Sequence, residues 1–169
     1  MLELSFDVQK SYMSEYLEST WKLEKMAFRS VSVERGTIVG LLDVKEYAID
    51  DDGEFHLSAQ AAMAWMSQLA IIYGCWDNNL PKKVGEVYLR KMQLDFYRPV
   101  RKTCAIHISG SVPPNGRRVL PDESVYYRDV KFSIEQGAFS GTASFIVPTV
   151  KRASTDSPKI STHQTEFAV

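Results

Sequence analysis

Residues 57 to 74 read LSAQAAMAWMSQLAIIYG, and no other stretch constrains the fold of this chain so tightly. Apolar residues run almost all the way round the helix this segment predicts, leaving no proper solvent face, so other elements must cover it. Ser58 is placed to cap its start and Gly74 to cap its end. At about nineteen residues the helix would be about 28 Å long, enough to cross the face of a whole sheet. From Leu57 to Cys75 it contains no Asp or Glu, yet it carries Gln60, Ser67 and Gln68, with Glu54 and His56 just before it.

The segments that could cover such a helix are strands. In AFRSVSVERGTIVGLLDVKEYAI, Phe28, Val31 and Val33 lead into Gly36 and out through Ile38, Leu41, Leu42 and Val44, which predicts two antiparallel strands joined at Gly36. Asp50 to Gly53 forms a turn cluster before the helix. After the polar loop WDNNLPKK come four strand-like segments, VGEVYLRKMQLDFY, CAIHISGSV, SVYYRDVKFSIEQ and AFSGTASFIVP. From Phe6 to about Met26 the aromatic and apolar residues recur at a helical period, predicting an amphipathic N-terminal cover helix within residues 1–26. Two strands, one apolar helix and four strands give an α+β chain in which a curved antiparallel sheet wraps a long central helix, the hotdog fold.

The chain of 169 residues suits one domain, expected over residues 1–150, followed by a polar, Ser- and Thr-rich tail over 151–169 expected to be flexible. A net charge of -1 gives no overall footprint for nucleic acid or an anionic membrane. Cys75 and Cys104 lack any metal or redox spacing and read as free thiols, and no segment has the length of a membrane span. A soluble cytoplasmic protein is expected, with no metal and no cofactor.

Gln60, Ala64, Ser67, Gln68 and Ile71 follow a spacing that predicts one shared side of the helix. A buried amide without a partner costs about 1 to 3 kcal/mol, so the glutamines must find partners in protein, water or ligand. The backbone N–H groups near Ser58, Ala59 and Gln60 have no acceptor within the helix and favour negative charge, such as a developing oxyanion. His56 and Glu54 could supply a general base beside them. His107 alternates with Ile106 and Ile108 and reads as outward-facing, and His163 falls in the tail. Arg90, Lys91, Arg101 and Lys102 are among the cations of the strand half that could meet phosphates or an acidic carrier.

The helix run Ser67-Gln68-Leu69-Ala70, the strand opening VYLRKMQLDFYRPVRKT and the closing YYRDVKFSIEQGAFSGTASFIVP together resemble the FcoT-like long-chain fatty acyl thioesterases, a hotdog family, over about Phe28 to Val150. The resemblance implies a homodimer or higher homo-oligomer acting on an acyl thioester of coenzyme A or of an acyl carrier protein. It implies either thioester hydrolysis or addition of the glycine nitrogen to an enoyl thioester. Both need a donor for the thioester oxygen beside a slot for an alkyl chain. The family's polar positions fall on Tyr47 before the helix, Ser58 at its entrance and Ser67 in its middle, where serines replace two asparagines. His56, Ser58, Gln60 and Glu54 are thus the expected catalytic groups, and Tyr47, Ala59, Ala64, Ser67 and Gln68 the expected substrate contacts. Dehydration would want a carboxylate on the helix. A protein that binds an acyl chain without turning it over is the remaining alternative.

Overall fold

A computed structural model describes residues 1–13, 25–46 and 54–150. In order along the chain these form β1 (Leu2–Leu4), α1 (Phe6–Tyr12), β2 (Lys25–Glu34), β3 (Thr37–Glu46), α2 (Ala59–Asp77), β4 (Tyr88–Phe96), β5 (Ile106–Ser111), β6 (Arg117–Val119), β7 (Val125–Ile134) and β8 (Phe139–Val147). The strands make one antiparallel sheet in the order β1-β2-β3-β5-β7-β8-β4, with β6 paired to β7 off that path. The β2–β3 reversal turns at Gly36, whose φ of 82° is a conformation that costs glycine nothing.

Helix α2 packs on one face of this sheet, against β3, β5 and β8. Leu69 and Ile72 meet a floor that includes Leu42, Ile106, Ile108 and Ile134, all without exposed surface. Burying each such side chain stabilises the fold by about 1.5 to 3 kcal/mol, which is why alternation along the strands selects the inner face. Ser58 caps the helix as the sequence predicts, its Oγ accepting from the Ala61 N–H at 3.1 Å.

The far end of α2 differs from expectation. The helix continues past Gly74 to Asp77 and ends at Asn78, whose side-chain amide donates to the Gly74 carbonyl at 2.7 Å. Gly74 serves close approach instead of capping, since a Cβ there would sit 2.5 Å from the Val147 Cγ2 atom. The helix therefore does end in one carboxylate, Asp77.

The N-terminal expectation is met in part. Helix α1 covers Phe6–Tyr12 and is preceded by the short strand β1, paired to β2, whereas Met26, expected at the end of the helix, is a strand residue in β2. Leu4, Tyr12 and Met26 all reach the core, and the Tyr12 hydroxyl donates to the Leu80 carbonyl at 2.8 Å, tying α1 to the loop after α2. Residues 14–24, the turn at 50–53 and the tail 151–169 lie outside the described residues. Among the described residues no helix is long and apolar enough to cross a membrane.

Candidate functional site

The segment leading into α2 alternates, with Phe55 and Leu57 buried and Glu54 and His56 turned outward. The Leu57 N–H donates to the Val100 carbonyl at 2.9 Å, which brings the entrance of α2 beside Arg101. Arg101 Nε lies 2.9 Å from Glu54 Oε2 and 3.0 Å from His56 Nε2. A guanidinium can only donate, so Nε2 is the acceptor and a neutral His56 carries its proton on Nδ1. The acid and the imidazole are therefore brought together, as a group organised round a cation that sequence reasoning had assigned to phosphate contacts.

The first turn of α2 presents the backbone N–H groups of Ala59 and Gln60, which have no acceptor within the helix. Gln60 is exposed, Met63 is 38% exposed and Ser67 is half-buried, so these three form an open stripe at i, i+3 and i+7. Ala64 borders this stripe at 8% exposure. Gln68, expected on the same side, faces the core at 2% exposure with its amide partnered, because one residue further along a helix is a rotation of about 100°. The Ser67 hydroxyl donates to the Met63 carbonyl at 2.8 Å, leaving its lone pairs for the open side. Tyr47 lies outside the described residues.

Beyond Ser67 the stripe opens into an apolar slot of about 150 Å³ between α2 and the sheet. Ser67, Ala70 and Ile71 line it from α2, Val87, Leu89 and Met92 from β4 and the segment before it, and Ala143 and Phe145 from β8. The slot exists because α2 offers small side chains here while β4, an edge strand, is covered on its inner face by little else. The edge of β4 leaves Tyr88, Leu89, Phe96 and Tyr97 about half exposed or more, which is unusual for side chains of this size.

Sequence reasoning missed a polar cluster at the far end of α2. Tyr127, fully buried, donates its hydroxyl to Asp77 Oδ2 at 2.6 Å and accepts from Asn78 Nδ2 at 2.9 Å. Arg117 Nε reaches the same Asp77 oxygen at 2.9 Å, and its Nη2 donates to Asn78 Oδ1 at 2.8 Å. Burial first, and the Asp77 carboxylate second, push the Tyr127 phenol far above its ordinary range. Asp77 and Asn78 had read as loop residues, and only the pairing of Arg117 with Tyr127 across β6 and β7 brings all four together. Tyr127→Phe is expected to cost about 1 to 2 kcal/mol in a denaturant melt, since Asp77 and Asn78 would each lose a buried partner.

No family model matches the chain, and no curated protein matches it. Solved structures do resemble it. A sigma28-regulated virulence protein from Campylobacter jejuni, Cj0977, shares 11% identity at a TM-score of 0.51, with 84% of this chain and 96% of that chain covered. The conserved protein PA5202 from Pseudomonas aeruginosa shares 16% identity at a TM-score of 0.49, covering 82% and 98%. The thioesterase HI1161 from Haemophilus influenzae shares 13% identity at a TM-score of 0.46, covering 76% and 82%. At this identity the likeness to Cj0977 speaks to architecture alone, a large antiparallel sheet with helices.

Proposed function

We propose that the chain is an acyl thioesterase that holds its substrate along the open stripe of α2. The observation that carries this reading is the continuity of the stripe: donor-rich at the first turn, apolar at the slot, with nothing charged on α2 between them. The thioester carbonyl oxygen would accept from the N–H groups of Ala59 and Gln60, and the alkyl chain would run past Met63 and Ser67 into the slot. A water oriented by the Gln60 carboxamide attacks the carbonyl carbon; the carbon–sulfur bond then breaks and the thiolate takes up a proton. His56 acts as base once Arg101 leaves Nε2, and an anionic carrier group, the phosphates of coenzyme A or the phosphopantetheine of a carrier protein, is the partner that would draw Arg101 away.

The exposed edge of β4 supports a homodimer, because a long apolar strand edge is a template for pairing with a second copy. Purified protein should release thiol from some member of a panel of acyl-CoA and acyl-carrier thioesters, and Gln60→Ala should lower kcat/KM on the order of 100-fold. Absence of thiol release at every chain length would refute the reading.

A second reading is acyl-chain binding without turnover. It is favoured by Ser67, whose hydroxyl proton is committed to the Met63 carbonyl. Chain binding that persists while Gln60→Ala and His56→Ala leave every rate unchanged would support it. Amine addition to an enoyl thioester would use the same oxyanion donors, and mass spectrometry of enoyl thioesters incubated with glycine would detect it. Dehydration gains no support, since the one carboxylate of α2, Asp77, is bound to Tyr127 and Arg117 at the far end of the helix.

A further inference from the structure

The far wall of the slot is held more firmly than contact alone requires. Ser67, Ala70 and Ile71 of α2 share the slot with Ala143 and Phe145 of β8, and Gly74 farther along packs against Val147, so α2 and β8 advance in the same direction. Ala143 and its partner Met92 therefore stand nearer the entrance of α2, and Phe145 and its partner Leu89 stand farther along. The Phe145 ring stacks on Tyr127 with centroids 5.0 Å apart and planes 20° from parallel. Tyr127 is in turn edge-on to Tyr73 at 5.9 Å and pinned through its hydroxyl by Asp77 and Asn78. A buried ring clamped on one face and tethered behind cannot swing aside to lengthen the slot.

We infer that Phe145 is the specificity-determining residue that ends the acyl chain, an inference that rests on the thioester reading above. From Gln60 to Ser67 the helix rises about 10 Å. An extended chain covers that in about eight bonds, at roughly 1.2 Å per bond. The slot beyond has room for about five methylenes, each taken at roughly the 30 Å³ of a water in the liquid. A saturated chain of about twelve to fourteen carbons fills the track to the Phe145 ring. Shorter chains leave the slot empty, and longer ones meet the ring.

The test is the affinity of the full-length protein for non-hydrolysable acyl thioether analogues of coenzyme A, from acetyl to stearoyl, measured by calorimetry. Affinity should rise to dodecanoyl or tetradecanoyl and fall by about tenfold at stearoyl, a difference of about 1.4 kcal/mol. Phe145→Val should move the optimum to longer chains, and Ala70→Leu, which fills the slot from the helix side, should move it to shorter ones. Circular dichroism checks that each variant is folded; if Phe145→Val is not, Ala70→Leu decides the matter. An optimum at or below octanoyl, an affinity that keeps rising to stearoyl, or an optimum unmoved in the folded variants would overturn the role of Phe145 and leave the thioester reading standing. Failure to bind any analogue would overturn both.

Discussion

Between pH 9 and 12 the protein is expected to lose on the order of 4 kcal/mol of stability through Cys75 alone, at about 1.4 kcal/mol per pH unit. The Cys75 thiol has no exposed surface, and burial pushes its pKa up from 9.0 to about 12, against a weaker opposing pull from Lys83. The unfolded chain gives up this proton near pH 9, whereas the native state holds it until about pH 12. Over that window the unfolded state binds fewer protons, so stability falls as pH rises; below pH 9 the contribution is complete. Tyr127, Tyr73 and Tyr12 are all raised as well, with burial the largest cause in each, and they steepen the fall above pH 10. Against a typical total of about 5 to 15 kcal/mol the loss is large. Urea melts at unit steps of pH would measure it, with Cys75→Ala expected to flatten the first part of the curve. Midpoints that stay constant up to pH 11 would contradict it.

Gly141→Ala is expected to cost about 3 kcal/mol or more, near the upper end for a single added methyl group. Gly141 sits in β8 between Leu94 of β4 and Phe132 of β7. A Cβ at this position would fall well inside the van der Waals radius of the Gln93 carbonyl oxygen, and within 3.1 Å of the Leu94 Cα. These are backbone atoms, so the clash is relieved only by moving β4 off β8. Amide exchange should therefore quicken first in β4, and the acyl-chain binding proposed above should weaken with it, because β4 is one wall of the slot. At Gly137 the comparison is instructive: φ is +85° but no atom lies within 4 Å of an added Cβ, so Gly137→Ala should cost only about 1 kcal/mol. Equal losses at both positions would show that the close approach of β4 does not govern Gly141.

The particular residues that sequence reasoning placed well are those governed by local chemistry. Ser58 caps α2, Gly36 turns the β2–β3 hairpin, and His107 faces outward, each for reasons that lie within a few residues along the chain. Its errors lie where partners are distant. Gly74 looked like a helix end because glycine often is one, and only the nearness of Val147 shows why it sits inside the last turn of the helix. Gln68 looked like a neighbour of Ser67 because its spacing from Gln60 put both on one side of the helix, and the packing of α2 on the sheet turned it inward instead.

By itself the sequence determined that one apolar helix must be wrapped by alternating strands, because burial of that helix has no other solution among these segments. The tertiary structure alone decided which stripe of α2 stays open, that Arg101 would stand against both Glu54 and His56, and that Tyr127 would tie Asp77 and Asn78 behind Phe145. Each of those depends on contacts between residues from 16 to 78 positions apart, whose closure is set by the register of the whole sheet and not by the preference of any segment.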